Sequence, residues 1–345
     1  MDNKQERKIL AIDIGGGTQD IILYEEGKTP ENFIQLVLPS PTVITASKII
    51  KVTEAGKGLH LSGTIMGGGS CVAAIKEHLN AGLPVTAEEE AAKTIKDDLD
   101  KVRKLGIKIT DSPPHGFQVV EMKDVDLKTL GHILDFYYVE LPREVAVAVQ
   151  DHGEAPPGKS NRDVRFQHWR NFIQGGGKVA DLAYLTPPDY LTRMKAVQKT
   201  VPAALVMDTC SAAVWGSFAD EVIKNSLQKG VVLVNIGNQH TFAALVKEDR
   251  IFGLFEHHTR MLNTDKLNKL IGKLCRKELT HEEVFDDRGH GCYIHEETPS
   301  SFEFVGVTGP RRSMAQGLGF YMVNPHGDMM MTGCFGLLEA AKNKI

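Results

Sequence analysis

Apolar and polar positions along this chain switch between the strand period and the helix period, and the switches mark out a succession of short elements. Residues 8–14 form an apolar run that ends in Gly15-Gly16-Gly17, and residues 18–24 return as a second apolar run. The same pattern recurs late in the chain. Residues 231–236 lead into Gly237-Asn238-Gln239-His240, and 241–246 return. Between the copies, a strand at 59–66 meets Gly67-Gly68-Gly69 and a helix at 70–80. Helical spacing of Ala91, Ala92, Ile95, Leu99 and Val102 predicts one helix over 87–105, stopped by Gly106. Strands are predicted at 107–110 and 117–121, a helix at 127–138 and a buried strand at 144–151. The stretch 152–162 is rich in Gly, Pro, Ser and Asn and reads as a loop. A helix at 164–173, a strand at 202–207 and an apolar helix at 211–223 follow. Beyond the second hairpin come strands at 251–255 and 302–307 and helices at 264–274 and 328–341. Alternating strands and helices in each half predict an α/β fold, and the repeated hairpin predicts a duplicated one.

Each hairpin delivers a short carboxyl or amide side chain, Asp13 or Asn235, into a glycine turn. Glycine tolerates positive φ and lets backbone N–H groups approach an anion closely. Two such turns facing each other would grip a polyphosphate, with Asp13 placed to hold magnesium through water. The alternative for Asp13 is a turn-capping carboxylate. Asp20 reads either as a surface charge or as a support for the metal ligand. The repeat makes this a nucleotide-binding sequence.

Length and composition bound the rest. The 345 residues suffice for two lobes, and 42% hydrophobic with 24% charged residues is an ordinary globular balance. A net charge of -4 removes the basic surface that non-specific nucleic-acid binding needs. The start of the chain has no signal-peptide core and no run spans a bilayer, so no membrane association and a cytoplasmic location are expected. The five cysteines are scattered, no two within ten residues, and none has the spacing of a zinc or iron–sulfur ligand set.

The order of the pieces resembles the actin-like ATPase superfamily of sugar and acetate kinases, heat-shock chaperone ATPases and actin. The resemblance implies a duplicated, ribonuclease H-like fold: an N-terminal lobe over 1–215 with an α/β insertion around 50–140, and a C-terminal lobe over 216–345. It also implies that Asp13 to Asp20 is the first phosphate loop, with Gly15, Gly16, Gly17 and Thr18 on the nucleotide. Residues 235–241 would be the second, with Asn235, Gly237, Asn238, His240 and Thr241. Val206 to Gly216, with its Asp208-Thr209 pair and Ala212-Ala213, is similar to the connecting helix. Thr308-Gly309-Pro310-Arg311 is similar to the adenosine turn, which gives Gly309 and Arg311 as contacts, and 327–341 to the closing helix. At finer resolution, Met66-Gly-Gly-Gly69, Gln150-Asp-His-Gly153, Ser160-Asn-Arg162 and Glu256-His-His-Thr259 resemble a family labelled "putative pyruvate formate-lyase activating enzyme". The sequence departs from the superfamily pattern where Asn235 stands for an aspartate and Pro310 for a glycine.

The expected cofactors are ATP and Mg2+, and the expected activity is small-molecule phosphoryl transfer or ATP-dependent acyl or carbamoyl transfer. Asp208 at a strand end is a general base or, equally, the N-cap of the next helix. Gly68 and Gly69 ahead of a helix suit a substrate anion or a tight turn. Asp151, His152, Arg162 and His257 are further substrate candidates; Lys159, Arg162, Arg165 and Arg170 form a clamp or a solvated face. His152, His240, His257, His258, His290, His295 and His326 lie in polar turns, where a transition metal is one use and surface hydrogen bonding the commoner one. The rival to an enzyme is a nucleotide-dependent switch that activates a partner enzyme without iron–sulfur radical chemistry.

Overall fold

The computed structural model describes residues 6–156, 159–299 and 302–345. Its first sheet is built on β1 (Lys8–Ile14), β2 (Thr18–Glu25) and β3 (Ile34–Pro39). Next along the chain come β4 (Leu59–Gly63), β5 (Val85–Ala87), β6 (Lys108–Ile109) and β7 (Gln118–Met122) of a small separate sheet. Then β8 (Glu144–Val149), β9 (Ala183–Tyr184) and β10 (Leu205–Met207) complete the first sheet in the order β3-β2-β1-β8-β10-β9. The other large sheet consists of β11 (Val231–Ile236), β12 (His240–Lys247), β13 (Arg250–His258), β14 (Gly291–Ile294), β15 (Phe304–Thr308) and β16 (Tyr321–Met322). Its order is β14-β13-β12-β11-β15-β16.

Five strands correspond one to one between the large sheets. In each, two antiparallel pairings (β3-β2-β1; β13-β12-β11) are followed by two parallel ones (β1-β8-β10; β11-β15-β16). The hairpin closures match as well: Gly15 N–H donates to Thr18 O at 2.9 Å, and Gly237 N–H to His240 O at 2.9 Å. This is the duplicated actin-like ATPase fold of the ribonuclease H-like class. Strands such as β1 and β8 are apolar on both faces because helices cover both sides of the sheet.

The lobes are joined by two helices that cross at their backbones. Thr209–Ser217 leaves the first sheet after β10 and contributes Cys210 and Val214 to the core of the second. The C-terminal helix Thr332–Lys344 packs back on Ile9, Ala11 and Ala146 of the first. At the crossing, a Cβ on Gly216 would overlap Thr332 O, and one on Gly336 would overlap Ala212 O. The small parallel sheet, β6-β5-β4-β7, carries its own core with helices Pro41–Glu54 and Gly69–Asn80. Among the described residues no helix is long and apolar enough to cross a membrane.

Several elements depart from the periodicity. The helix expected over 87–105 is β5 followed by two short helices, Glu89–Lys93 and Leu99–Lys104. The break falls where the Asp98 carboxylate accepts from Asp100 N and Lys101 N and starts a new helix. The helix expected over 211–223 is likewise split, because Asp220 caps a second helix, Glu221–Ser226. The closing helix begins at Thr332 rather than 328. β3 and the helices Pro41–Glu54 and Thr192–Thr200 are absent from the reading by period: β3 is an edge strand with partly exposed alternation and TRMKAVQKT is polar, whereas Ser40-Pro41 is a helix-start signal that the reading passed over.

Candidate functional site

The ends of β1, β8, β11 and β15 open on a cleft of about 1020 Å³ between the lobes, under the edge of the small sheet domain. Both hairpin turns line it, and their tips touch. A Cβ on Gly16 would lie 2.6 Å from the Gln239 amide nitrogen, one on Gly17 2.8 Å from that of Asn238, and one on Gly69 2.9 Å from Gln239 again. Three glycines from two segments therefore converge on two amide side chains. Gly15, Gly16, Gly17 and Gly237 do not take positive φ. They are glycines for close approach, which corrects the conformational reason expected from sequence. Gly309 needs both: its φ is +100°, and a Cβ there would meet Asn235 Oδ1 at 2.5 Å.

Asp13, next to last in β1, faces Asp20, its register partner on β2. The Asp13 carboxylate lies against Gly333 in the first turn of the C-terminal helix, where a Cβ would overlap it. Asp13 Oδ1 and Asp20 Oδ1 are buried with no hydrogen-bond partner among the described residues. Burial, then the charges of Asp20 and Asp208, raises the Asp13 carboxyl well above the usual range. Burial raises Asp20 to about 7, against a lowering hydrogen bond from Thr18. Two desolvated carboxylates with free lone pairs form a site that a hard cation would stabilise.

Asp208 has a different setting from the one expected of a general base. It is buried, does not line the cleft, and caps its helix by accepting from Cys210 N at 3.0 Å. Its other contacts are Arg165 Nη1 at 2.9 Å, Arg165 Nη2 at 3.3 Å and Asp151 N at 3.2 Å. The same Arg165, from helix Asn161–Gln174, donates through Nε to Glu256 Oε2 at 2.6 Å. Gln150 and Trp169 also donate to Glu256, at 2.9 and 3.3 Å. The geometry is that of the capping alternative, extended into a buried Asp208–Arg165–Glu256 brace between the lobes. Asp151 is similarly committed, accepting from Gly153 N and Met194 N at 2.9 Å each.

Four histidines meet at the second hairpin. His240 and His258 are register partners on β12 and β13, so their side chains share a face. His152 from the loop after β8 and His290 just before β14 join them, and all four line the cleft. Burial keeps them neutral at pH 7: His240 falls to about 3 and His290 to about 4, with His152 well below its ordinary value. His257, on the opposite face of β13, is fully buried and bonds Asp287 Oδ2 at 3.0 Å, so His258 takes the cleft position. His295 and His326 lie outside the cleft.

The remaining candidates divide in the same way. Thr18, Asn235, Asn238, Gly68, Gly69 and Arg162 line the cleft, although Arg162 donates to Gly289 O and Phe285 O and stacks on the Phe285 ring. The N-terminus of helix Gly69–Asn80 is partly satisfied, because Cys71 N donates to Thr42 Oγ1. Thr241 is buried beneath the turn with Thr259, whose hydroxyl donates to Gly237 O. The Arg311 side chain borders a separate shallow pocket, and only its N–H reaches the hairpin, at Ile236 O. Sequence reasoning missed Gln239, the Asp124–Arg193 pair and the 93–101 segment over the mouth. Its place in the turn that follows Gly237 was the available signal for Gln239; nothing in one sequence marks the others.

The family model described as "Putative pyruvate format-lyase activating enzyme (DUF1786)" matches residues 66–314. No curated protein matches the chain. Among solved structures, ethanolamine utilization protein EutJ from Carboxydothermus hydrogenoformans is 10% identical with a TM-score of 0.35, over 96% of this chain and 89% of that one. An Aquifex aeolicus member of the Ppx/GppA family is 11% identical with a TM-score of 0.31, over 88% of this chain and 66% of that one. A ROK family glucokinase from Streptomyces griseus, in complex with glucose and AMPPNP, is 11% identical with a TM-score of 0.33, over 97% of this chain and 98% of that one. At these scores the fold assignment rests on the strand order and not on the likenesses. With the match spanning well over half its length, the chain belongs to the family described as "Putative pyruvate format-lyase activating enzyme".

Proposed function

We propose that this protein binds ATP with Mg2+ in the cleft and uses it for phosphoryl, or ATP-dependent acyl or carbamoyl, transfer to a small molecule. The observation that carries this reading is the pair of matched glycine hairpins at one cleft, one of them beside two buried carboxylates with unpartnered oxygens. Asp13 and Asp20 fit Mg2+, which takes one or two carboxylates and otherwise water and phosphate oxygens. When bound, the ion would neutralise phosphate charge; the hairpin N–H groups would position the phosphates. The cleft is at the upper end of small-molecule pocket sizes, roughly 300–1,000 Å³, which leaves room for a second reactant.

Iron–sulfur radical chemistry, which the family description suggests, does not fit these residues. Cys71, Cys210, Cys292 and Cys334 are buried in separate parts of the molecule, and burial raises each thiol above its ordinary range. One observation favours the switch as a second reading. The tips of the two hairpins touch through Asn238 and Gln239, so nucleotide occupancy would couple to the relation between the lobes. A screen of the purified protein for ATP turnover, with Mg2+ and with and without small metabolites, tests the proposal. Turnover that appears only with one metabolite supports the enzyme; a slow basal rate indifferent to all of them supports the switch; no ATP binding by calorimetry overturns both.

A further inference from the structure

We propose that His152, His240 and His290 bind a divalent transition-metal ion at the cleft, with His258 packed beside them. The site goes beyond the ATP and Mg2+ reading and stands without it. The ring centres are 5.3 Å apart for His152–His240, 5.3 Å for His152–His290 and 5.0 Å for His240–His290. His258 lies 4.8 Å from His240 and 5.0 Å from His290. A tetrahedral ion with metal–nitrogen bonds of about 2.0–2.1 Å places imidazole centres about 5.2 Å apart. The rings already hold that spacing. Their candidate ligand nitrogens lie within 4.8 Å of one another, so closing on an ion, with nitrogens about 3.4 Å apart, needs ring rotation and little backbone movement.

A second observation points to a ligand. Both ring nitrogens of His240 and Nδ1 of His290 are buried with no hydrogen-bond partner among the described residues. His290 is 1% exposed. Buried polar groups are costly to leave unsatisfied, so imidazoles gathered this way are poorly explained as packing alone. Beneath them lies the buried brace, where the Glu256 carboxylate faces His240 and His290 and favours a cation, offset in part by Arg165. His290 N–H also donates to Glu256 O at 2.8 Å, tying that ligand to the brace.

The chemistry of the donors sets the class of metal. Neutral imidazole suits Zn2+, Co2+, Ni2+ and Fe2+, whereas Mg2+ prefers oxygen. Three protein ligands leave a fourth position, and because all three line the cleft that position opens toward a substrate. His240 occupies the place that Thr18 holds in the other hairpin, so the metal would mark the second hairpin as the substrate side.

The test uses the full chain, stripped with chelator and free of nucleotide, titrated with Zn2+ and with Co2+. The parent is expected to bind one ion per chain and to give the visible spectrum of tetrahedral Co2+, with nitrogen neighbours in X-ray absorption. His240→Thr and His290→Gln should each weaken Zn2+ binding by more than about 100-fold, beyond the effect of losing an outer-shell partner. His257→Gln, on the other face of β13, should bind as the parent does. Absence of one-to-one binding in the parent, coordination by oxygen alone, or His240→Thr binding with parental affinity would each overturn the site. Should both variants fail to fold, the parent's stoichiometry and nitrogen coordination decide it.

Discussion

Asp20 and Asp208 are both buried carboxylates, and their neighbours give them opposite roles. Asp20 has no ion-pair partner among the described residues, and burial raises its carboxyl to about 7. A raised folded-state value means that its contribution to stability is present below the unfolded value near pH 4 and is lost as pH rises through about 7. Asp20→Asn removes that loss. The melting temperature of the variant minus that of the parent should therefore grow from pH 4 to pH 8, reaching at least about 2–4 °C. Parallel melting curves across this range would show that Asp20 is not desolvated. Saturating Mg2+ should shrink the difference at pH 8. Asp208 instead accepts from both nitrogens of the Arg165 fork. Asparagine keeps the helix cap but leaves charged donors facing a weaker acceptor, so Asp208→Asn should cost about 1–3 kcal/mol of stability in urea melts. From sequence the same change costs little stability under either role, because Arg165, 43 residues away, is invisible as a partner. A silent result would return Asp208 to the role of free base.

Glycines at the level of elements separate contacts that can yield from contacts that cannot. Gly336 faces the backbone of Ala212 and Gly216 faces that of Thr332, so the connecting and closing helices have no room for a methyl group. Gly336→Ala is expected to cost more than about 3 kcal/mol, at the upper end for overpacking, because backbone must move to accept it. A cost under about 1 kcal/mol in denaturant melts would mean that the helices are not in backbone contact. Gly16 faces only the end of the Gln239 side chain. Gly16→Val should therefore fold, and should lose ATP affinity by calorimetry. Adding Gln239→Ala should recover any lost stability without restoring the affinity. Restored affinity would show that Gln239, and not the phosphate approach, was what the valine disturbed.

At the scale of the whole molecule, the cleft is held by groups from distant parts of the chain: Gln150 and Glu256, Lys93 and Glu154, Asn161 and Asp97. ATP with Mg2+ is expected to slow hydrogen exchange at 15–18, at 237–240 and across 93–98 together, since all three segments border one cavity. Protection confined to one hairpin would break the two-hairpin site. The sequence by itself determined the duplicated α/β fold, the two hairpins and the place of Asp13 beside the first turn, because strand period and glycine turns are local signals that sit within a few residues of each other. It also pointed to histidines in polar turns, but it could not choose between His257 and His258. The tertiary structure decided that choice by the face of β13. It also decided that Asp208 is bound to Arg165 and that Gln239 fills the gap between glycine turns. It brought His152, His240 and His290 together as well. Those outcomes depend on contacts between residues far apart in the chain, and their geometry exists only once both sheets and the helices that join them have packed.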